Sequence, residues 1–361
     1  MCNKYAFSRI SAILLLVLII SACKKATVLE PLSPVLHAIQ LEVPVGFPVL
    51  VDNPDNPLTV EGIELGRKLF YDVRLSRSNK ISCASCHHQN LAFTDGTALN
   101  HIGETGTKLT RHAPALFNLA WATNGLFWDG GSKNLESQAF GPLTSADEMH
   151  QNLSELETEL KQESDYAIQF KLVFNEEVRS ANVVKALAQF QRTLISAGSR
   201  YDRYKRNESD GSLTELELSG MALVNSKCRS CHSTELFTDN SYHNNGIDAG
   251  FSDEKEGIYQ GRFRVSFDPA DMGKFRTPSL RNLLLTAPYM HDGRFKTIDE
   301  VLDHYASGIK NSPNTDPLLY QNLGSVGIPM TALERKAIVA FFNTLTDNDF
   351  TSNKKISNPF N

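Results

Sequence analysis

Two copies of Cys-x-x-Cys-His constrain this chain more than any other feature. They are Cys83-Ala84-Ser85-Cys86-His87 and Cys228-Arg229-Ser230-Cys231-His232. The pattern reads as c-type haem attachment. Two thiols must reach the vinyl groups on one porphyrin edge, and the next residue must turn an imidazole under the iron. Positions i, i+3 and i+4 share one face of a helical turn, which permits this. A thioredoxin-like redox pair or half of a zinc site would also use two such cysteines. Two copies, each with its histidine, in a chain that reads as exported make those alternatives weak. His87 and His232 are therefore the expected proximal ligands, with Cys83, Cys86, Cys228 and Cys231 as the covalent attachment points. His88 is read as a surface residue.

The remaining cysteines fit this assignment. Lys4 and Arg9 precede an apolar run from Ile10 to Ile20, too short to span a bilayer comfortably. Residues 1–22 read as a secretory signal that removes Cys2. The box Ile20-Ser21-Ala22-Cys23 resembles a lipoprotein cleavage site, with Cys23 as the lipidated N-terminus. Ordinary cleavage near Ala22 is the plainer alternative. The expectation is an exported protein on the periplasmic side, attached to a membrane only through its lipid. With 36 Lys+Arg against 41 Asp+Glu the chain carries no basic footprint for nucleic acid.

Residues 23–58 hold six prolines (31, 34, 44, 48, 54 and 57) and read as a tether and extended entry segment. From Thr59 the pattern turns helical, with Ile63, Leu65, Leu69 and Phe70 on one face. Leu153, Leu156 and Leu160 recur at helical spacing, as do Val183, Val184, Leu187, Phe190 and Leu194. Thr214 with Glu217, Thr297 with Glu300 and Thr331 with Glu334 are capping-box starts. Residues 238–275 read as a long loop region. The chain is expected to be mainly α, with two cytochrome c-like helical domains, 59–206 and 207–347, each holding one c-type haem. A polar tail, 348–361, is expected to fray. One motif per helical half suggests a duplication.

Further motifs resemble the bacterial di-haem cytochrome c peroxidase superfamily, including its MauG branch. They run in order over residues 60–345: Leu65-Gly66-Arg67-Lys68-Leu69-Phe70, Ile81-Ser82-Cys83, Phe127-Trp128-Asp129-Gly130, Gly141-Pro142, Phe275-Arg276-Thr277-Pro278-Ser279-Leu280-Arg281-Asn282 and Thr286-Ala287-Pro288-Tyr289-Met290-His291-Asp292-Gly293. The resemblance implies that the N-terminal haem is the peroxide site and that Gln138, Pro142 and Glu148 match the family's Gln, Pro and Glu. Glu148 is then the proton acceptor and donor, Gln138 a hydrogen-bond partner of the peroxide, and Pro142 a shaping residue. Without the resemblance, Glu148 would be read as a helix N-terminal acid and Gln138 as a surface amide. Trp128 is implied to lie between the haems as an electron relay, whereas Trp121 is read as packing.

At the second haem the resemblance implies a further axial ligand. Many members carry a Met fourteen residues after the His of the Tyr289–Gly293 segment; here that position is Tyr305, as in the MauG branch. A phenolate favours ferric or higher states where a thioether favours ferrous iron. Met290 and Met272 are rival ligands ranked below Tyr305, and His291 is a contact or gate residue. Two departures stand out. The loop position where other members place a histidine on the peroxide haem appears here as Glu104, with His101 nearby, so the resting haem is expected to be open. Thr286 and Pro288 match carbonyl donors of the family's calcium, but its Asn position is His112, and imidazole is a poor calcium ligand.

The resemblance thus implies reduction of H2O2 to water through a high-valent N-terminal haem, with electrons from a small cytochrome or cupredoxin. MauG-like oxidation of a protein side chain by long-range electron transfer is the alternative. A plain electron-transfer lipoprotein is the third reading, which the intact Gln138, Pro142 and Glu148 set disfavours. A homodimer is left open, since no interface can be read from the sequence.

Overall fold

Each haem motif follows a helix that crosses a second helix from much later in the chain. In the computed structural model, which describes residues 35–251, 258–321 and 324–360, α1 (Val60–Tyr71) begins at Thr59, whose hydroxyl accepts from the Gly62 amide. It packs against α5 (Ser180–Arg192). In the second half α7 (Glu215–Lys227) packs against α10 (Ala332–Thr344). The signal segment and Cys23 lie outside the described residues.

The two crossings are built alike. Gly66 of α1 sits against α5 so closely that a Cβ there would be far inside contact distance of the Ala186 carbonyl oxygen and 2.9 Å from the Phe190 Cβ. Gly220 of α7 meets α10 identically, with Ala337 carbonyl and the Phe341 Cβ, again at 2.9 Å. Only glycine allows two helix backbones to approach this far. Flanking sequence had left the duplication a suggestion; the matching crossings are its structural counterpart.

Between these pairs lie α2 (Leu135–Thr144), α3 (Leu153–Gln162), α4 (Ser164–Phe174) and α6 (Arg200–Lys205). The short turns α8 (Phe263–Ser266), α9 (Ile298–Asp303) and α11 (Asn348–Ser352) complete the helices among the described residues. The capping boxes at Thr214, Thr297 and Thr331 are formed, each hydroxyl accepting from the N3 amide and each glutamate reaching back. Within the loop region, β1 (Tyr242–His243) pairs antiparallel with β2 (Phe275–Arg276), Tyr242 opposite Arg276.

The buried side chains gather into two main clusters. One holds Leu65, Leu69, Phe70, Phe93, Leu156, Phe170 and Phe190. The other holds Tyr201, Val224, Phe237, Leu302, Ile338 and Phe341. A small third cluster joins Phe47 of the entry segment to Trp121 and Leu236. Trp121 is packing, with its ring edge-on to Phe47 at 5.1 Å and its indole N–H donating to the Pro48 carbonyl at 2.8 Å.

The C-terminal tail differs from expectation. Phe350 and Ile356 are buried in the first cluster, and Tyr71 donates to the Ile356 carbonyl at 2.8 Å. Its polar composition suggests fraying, but Phe350, packed against Phe93 and Phe117, and the buried Ile356 suffice to fasten it. A buried ion pair locks the second half. Arg281, with no exposed side-chain surface, makes a two-pronged contact to Asp202 at 2.8 Å for each prong.

Candidate functional site

The first motif is a single 3-10 turn, Cys83–Ser85, capped by Ser82. The His87 Nδ1 donates to the Phe93 carbonyl at 2.7 Å. This fixes the tautomer and leaves Nε2 with its lone pair for a metal. Burial lowers the His87 pKa, so the imidazole stays in its neutral, ligating form. Burial pushes the Cys83 and Cys86 thiols up to about 12.

Glu148 faces these thiols closely enough to raise both electrostatically. Burial raises the Glu148 carboxyl above the usual carboxylate range, against an opposing hydrogen bond from Ser145. A carboxyl that holds its proton more tightly than an exposed one is better matched to accept a proton from a bound molecule and hand it back. Gln138 and Pro142 lie on α2, whose start is capped by Asn134. Pro142 has no amide hydrogen for the Gln138 carbonyl four residues earlier, so the helix ladder is interrupted at that pair.

The loop carrying Glu104 is fastened beside Glu148. The Glu104 amide donates to the Glu148 carbonyl at 2.8 Å. Its carboxylate accepts from the Ser78 amide at 3.0 Å and the Ser78 hydroxyl at 2.6 Å. Thr105 donates to the Asp147 carboxylate at 2.7 Å. His101 is exposed.

The second motif opens on a cavity of about 250 Å³ whose wall includes Cys228, Cys231, His232, Trp128, Met290 and Tyr305. His232 Nδ1 lies 3.2 Å from the Phe237 carbonyl and 3.1 Å from that of Pro278, again leaving Nε2 available. Burial lowers its pKa to about 4. Apolar walls from Leu280, Leu302 and Phe342, two unpaired thiols and a neutral imidazole are the donor set and surroundings a covalent haem requires, so the residues fit the group.

Tyr305 lies on a π-turn, His304–Gly308, that extends α9. Such turns often mark functional sites, and periodicity in the sequence does not reveal them. Burial pushes its phenol up to about 12, opposed by a hydrogen bond from Asn245. Met272 is not part of this wall, whereas Met290 is. His291 lines the cavity, stacked on Phe275 at 3.8 Å, and its Nε2 has no partner. Burial lowers its pKa to about 3, which keeps it neutral.

Trp128 joins the two halves. Its indole N–H donates to the His112 carbonyl at 2.7 Å, and its own carbonyl accepts from Arg276 of β2 at 2.8 Å. His112 in turn reaches the first-motif segment, with Nε2 3.3 Å from the Thr94 hydroxyl and Nδ1 donating to the Thr97 carbonyl at 2.8 Å. With both ring nitrogens so engaged, His112 offers nothing to a calcium ion. Thr286 and Pro288 line the second cavity, and no cluster of three or more His, Cys, Asp or Glu suited to a metal occurs among the described residues.

Sequence reasoning missed Asn245 and Arg281–Asp202; Arg281 stood inside a quoted motif, while Asn245 carried no signal. Comparison with known proteins agrees with the geometry. A family profile described as di-haem cytochrome c peroxidase matches residues 60–210. The methylamine utilization protein MauG of Methylorubrum extorquens is 38% identical, covering 80% of this chain and 79% of that protein. The cytochrome-c peroxidase IdrP1 of a Pseudomonas species is 34% identical, covering 81% of this chain and 82% of that one. The crystal structure of a MauG-like protein associated with microbial copper homeostasis superposes with a TM-score of 0.79 at 36% identity, covering 90% of this chain and all of that one.

Proposed function

This chain belongs to the di-haem cytochrome c peroxidase family and is an oxidoreductase acting on peroxide; on that premise we propose that it reduces hydrogen peroxide at the first motif in its fully oxidised form, with no preparatory reduction. Bound at the two motifs, haem supplies an iron centre for the peroxide at the first and a store for electrons at the second.

The residues then divide the work. Glu148 takes a proton from one oxygen of the peroxide and returns it to the other, the leaving oxygen. Gln138 donates a hydrogen bond to the bound peroxide and orients it. Pro142 shapes the pocket while bringing no competing donor. Two electrons and two protons convert each H2O2 to two waters. The electrons come from a small cytochrome or cupredoxin near the second haem and pass by way of Trp128. Tyr305 and His232 would hold that haem between them, and a phenolate oxygen from Tyr305 would favour ferric or higher states of its iron. The carbonyls of Thr286 and Pro288 are the donors proposed for a calcium ion, with no side-chain contribution from His112, whose ring nitrogens are bonded to Thr97 and Thr94. Export by residues 1–22 and lipid anchoring at Cys23 belong to the proposal and are checked by mass spectrometry of the mature N-terminus.

The observation that carries the reading is the fastening of the loop. Glu104 stands where other members supply a ligating histidine, its carboxylate is held by Ser78, and its amide is bonded to the Glu148 segment. The test is rapid mixing of the oxidised protein with one equivalent of H2O2. A prompt spectral change at the first haem is expected. No reaction until one haem is reduced would overturn it. A second reading, oxidation of a protein side chain at a distance, is favoured by Tyr305 and Trp128 sharing one cavity wall. It is tested by incubating the peroxide-treated protein with extracts and seeking a stoichiometric loss of the oxidised state together with a modified protein.

A further inference from the structure

Two side chains able to ligate iron, the phenol of Tyr305 and the thioether of Met290, line the cavity of the second motif. Asn245 stands with both in that wall. Its Nδ2 donates to the Met290 sulfur at 3.4 Å, and its amide draws the Tyr305 phenol's pKa down against the effect of burial. Asn245 is itself held from behind, since its carbonyl accepts from His304 Nε2 at 3.0 Å, one residue before Tyr305 on the π-turn. Met290 adopts a left-handed backbone conformation with φ of 74°, unusual for a side chain of this size, so its sulfur is presented from a constrained position.

We propose that Asn245 is a positioning residue that selects the axial ligand of the second haem, steadying the Tyr305 oxygen and holding the Met290 thioether in reserve. The inference rests on the reading of Tyr305 as that ligand. The physical basis is general. Partners beyond the ligands orient them and tune their donor strength. An N–H donor favours an anionic oxygen far more than a neutral thioether. The thioether meets the same donor through a weaker N–H···S contact. Removing the amide therefore frees the sulfur and weakens the phenolate together, and both changes favour exchange of one ligand for the other.

The test uses the full chain with both haems attached. Asn245→Leu removes the donor while keeping the bulk. It is expected to retain two haems per chain by the pyridine haemochrome assay. Its ferric spectrum should gain the near-infrared charge-transfer band of thioether ligation, and the second haem's midpoint potential should shift upward. Adding Met290→Leu should abolish that band. Asn245→Ser, too short to span both partners, carries the same expectations if the leucine variant loses haem. A second-haem spectrum and potential equal to those of the unaltered protein in both variants would overturn the inference. So would a new band that persists after Met290→Leu. Tyr305→Phe separates the two readings. If it alters the second haem while the Asn245 variants do not, the selection by Asn245 fails and the Tyr305 assignment stands. If Tyr305→Phe alters nothing, the assignment fails and the inference falls with it.

Discussion

Replacing Glu148 by Gln keeps the side chain's size and its capacity to meet Ser145, and removes only the ability to carry a proton. The carboxyl is half-buried on the side of Cys83 and Cys86, and the burial it has raises its pKa. No other titratable side chain within the peroxide set can take over, because Gln138 and Pro142 do not ionise. The expected loss in kcat/KM for peroxide is therefore that of a positioned acid–base group, about 10²–10⁴-fold. At about 1.36 kcal/mol per factor of ten, this is roughly 2.7–5.4 kcal/mol of transition-state stabilisation. The pH profile supplies a second signature. Glu148 must begin deprotonated, so activity falls as pH drops through its pKa, at higher pH than for an exposed glutamate. That limb should vanish in Glu148→Gln. Steady-state peroxide turnover across pH, alongside haem content, is the assay. Turnover within about threefold of the unaltered protein, with both haems attached and the acid limb intact, would refute the role, since a loss that small is below what acid–base catalysis supplies.

Three further outcomes follow from the packing. Gly66→Ala and Gly220→Ala should each cost about 1–3 kcal/mol in denaturant unfolding, because each new methyl forces two helices apart. Asp202→Asn should destabilise by roughly 3–5 kcal/mol by leaving Arg281 buried and unpaired. Burial alone would raise the Asp202 carboxyl, but Arg281 and Ser199 together hold it below the usual range. Its contribution to stability is thus present above the unfolded carboxyl's pKa and is lost as pH falls through the folded one. The stability gap between the unaltered protein and Asp202→Asn should accordingly be widest near neutral pH and narrow as pH falls through the folded pKa, because asparagine takes up no proton. Phe350→Ala should cost about 3–5 kcal/mol by emptying a site against Phe93 and Phe117, measured as a lowered denaturation midpoint.

Much of this molecule is legible before any coordinates, and the legible parts share one property: they are decided within a few residues. A haem motif spans five positions, and a capping box joins residues three apart, so Thr214, Thr297 and Thr331 mark helix starts in sequence as they do in space. The period of Leu153, Leu156 and Leu160 reports one helix face for the same reason. The fourteen-residue step from His291 to Tyr305 was found only by resemblance, because nothing local distinguishes that tyrosine from a core one. The tail shows the opposite limit. Its composition is polar, yet two side chains outweigh the rest once a hydrophobic site is within reach.

The sequence alone specified two haem-binding helical halves, the helix starts and a peroxide-linked family, because short-range spacing and local hydrogen bonding carry that information. Tertiary folding supplied what depends on distant partners. Gly66 meets Ala186 and Gly220 meets Ala337 across helix crossings. Asp202 closes on Arg281, and Glu104 is bonded to Glu148. Asn245 stands between Met290 and Tyr305. Each of these contacts links residues separated by 44 to 120 positions. Their energies depend on burial and geometry that no local pattern encodes.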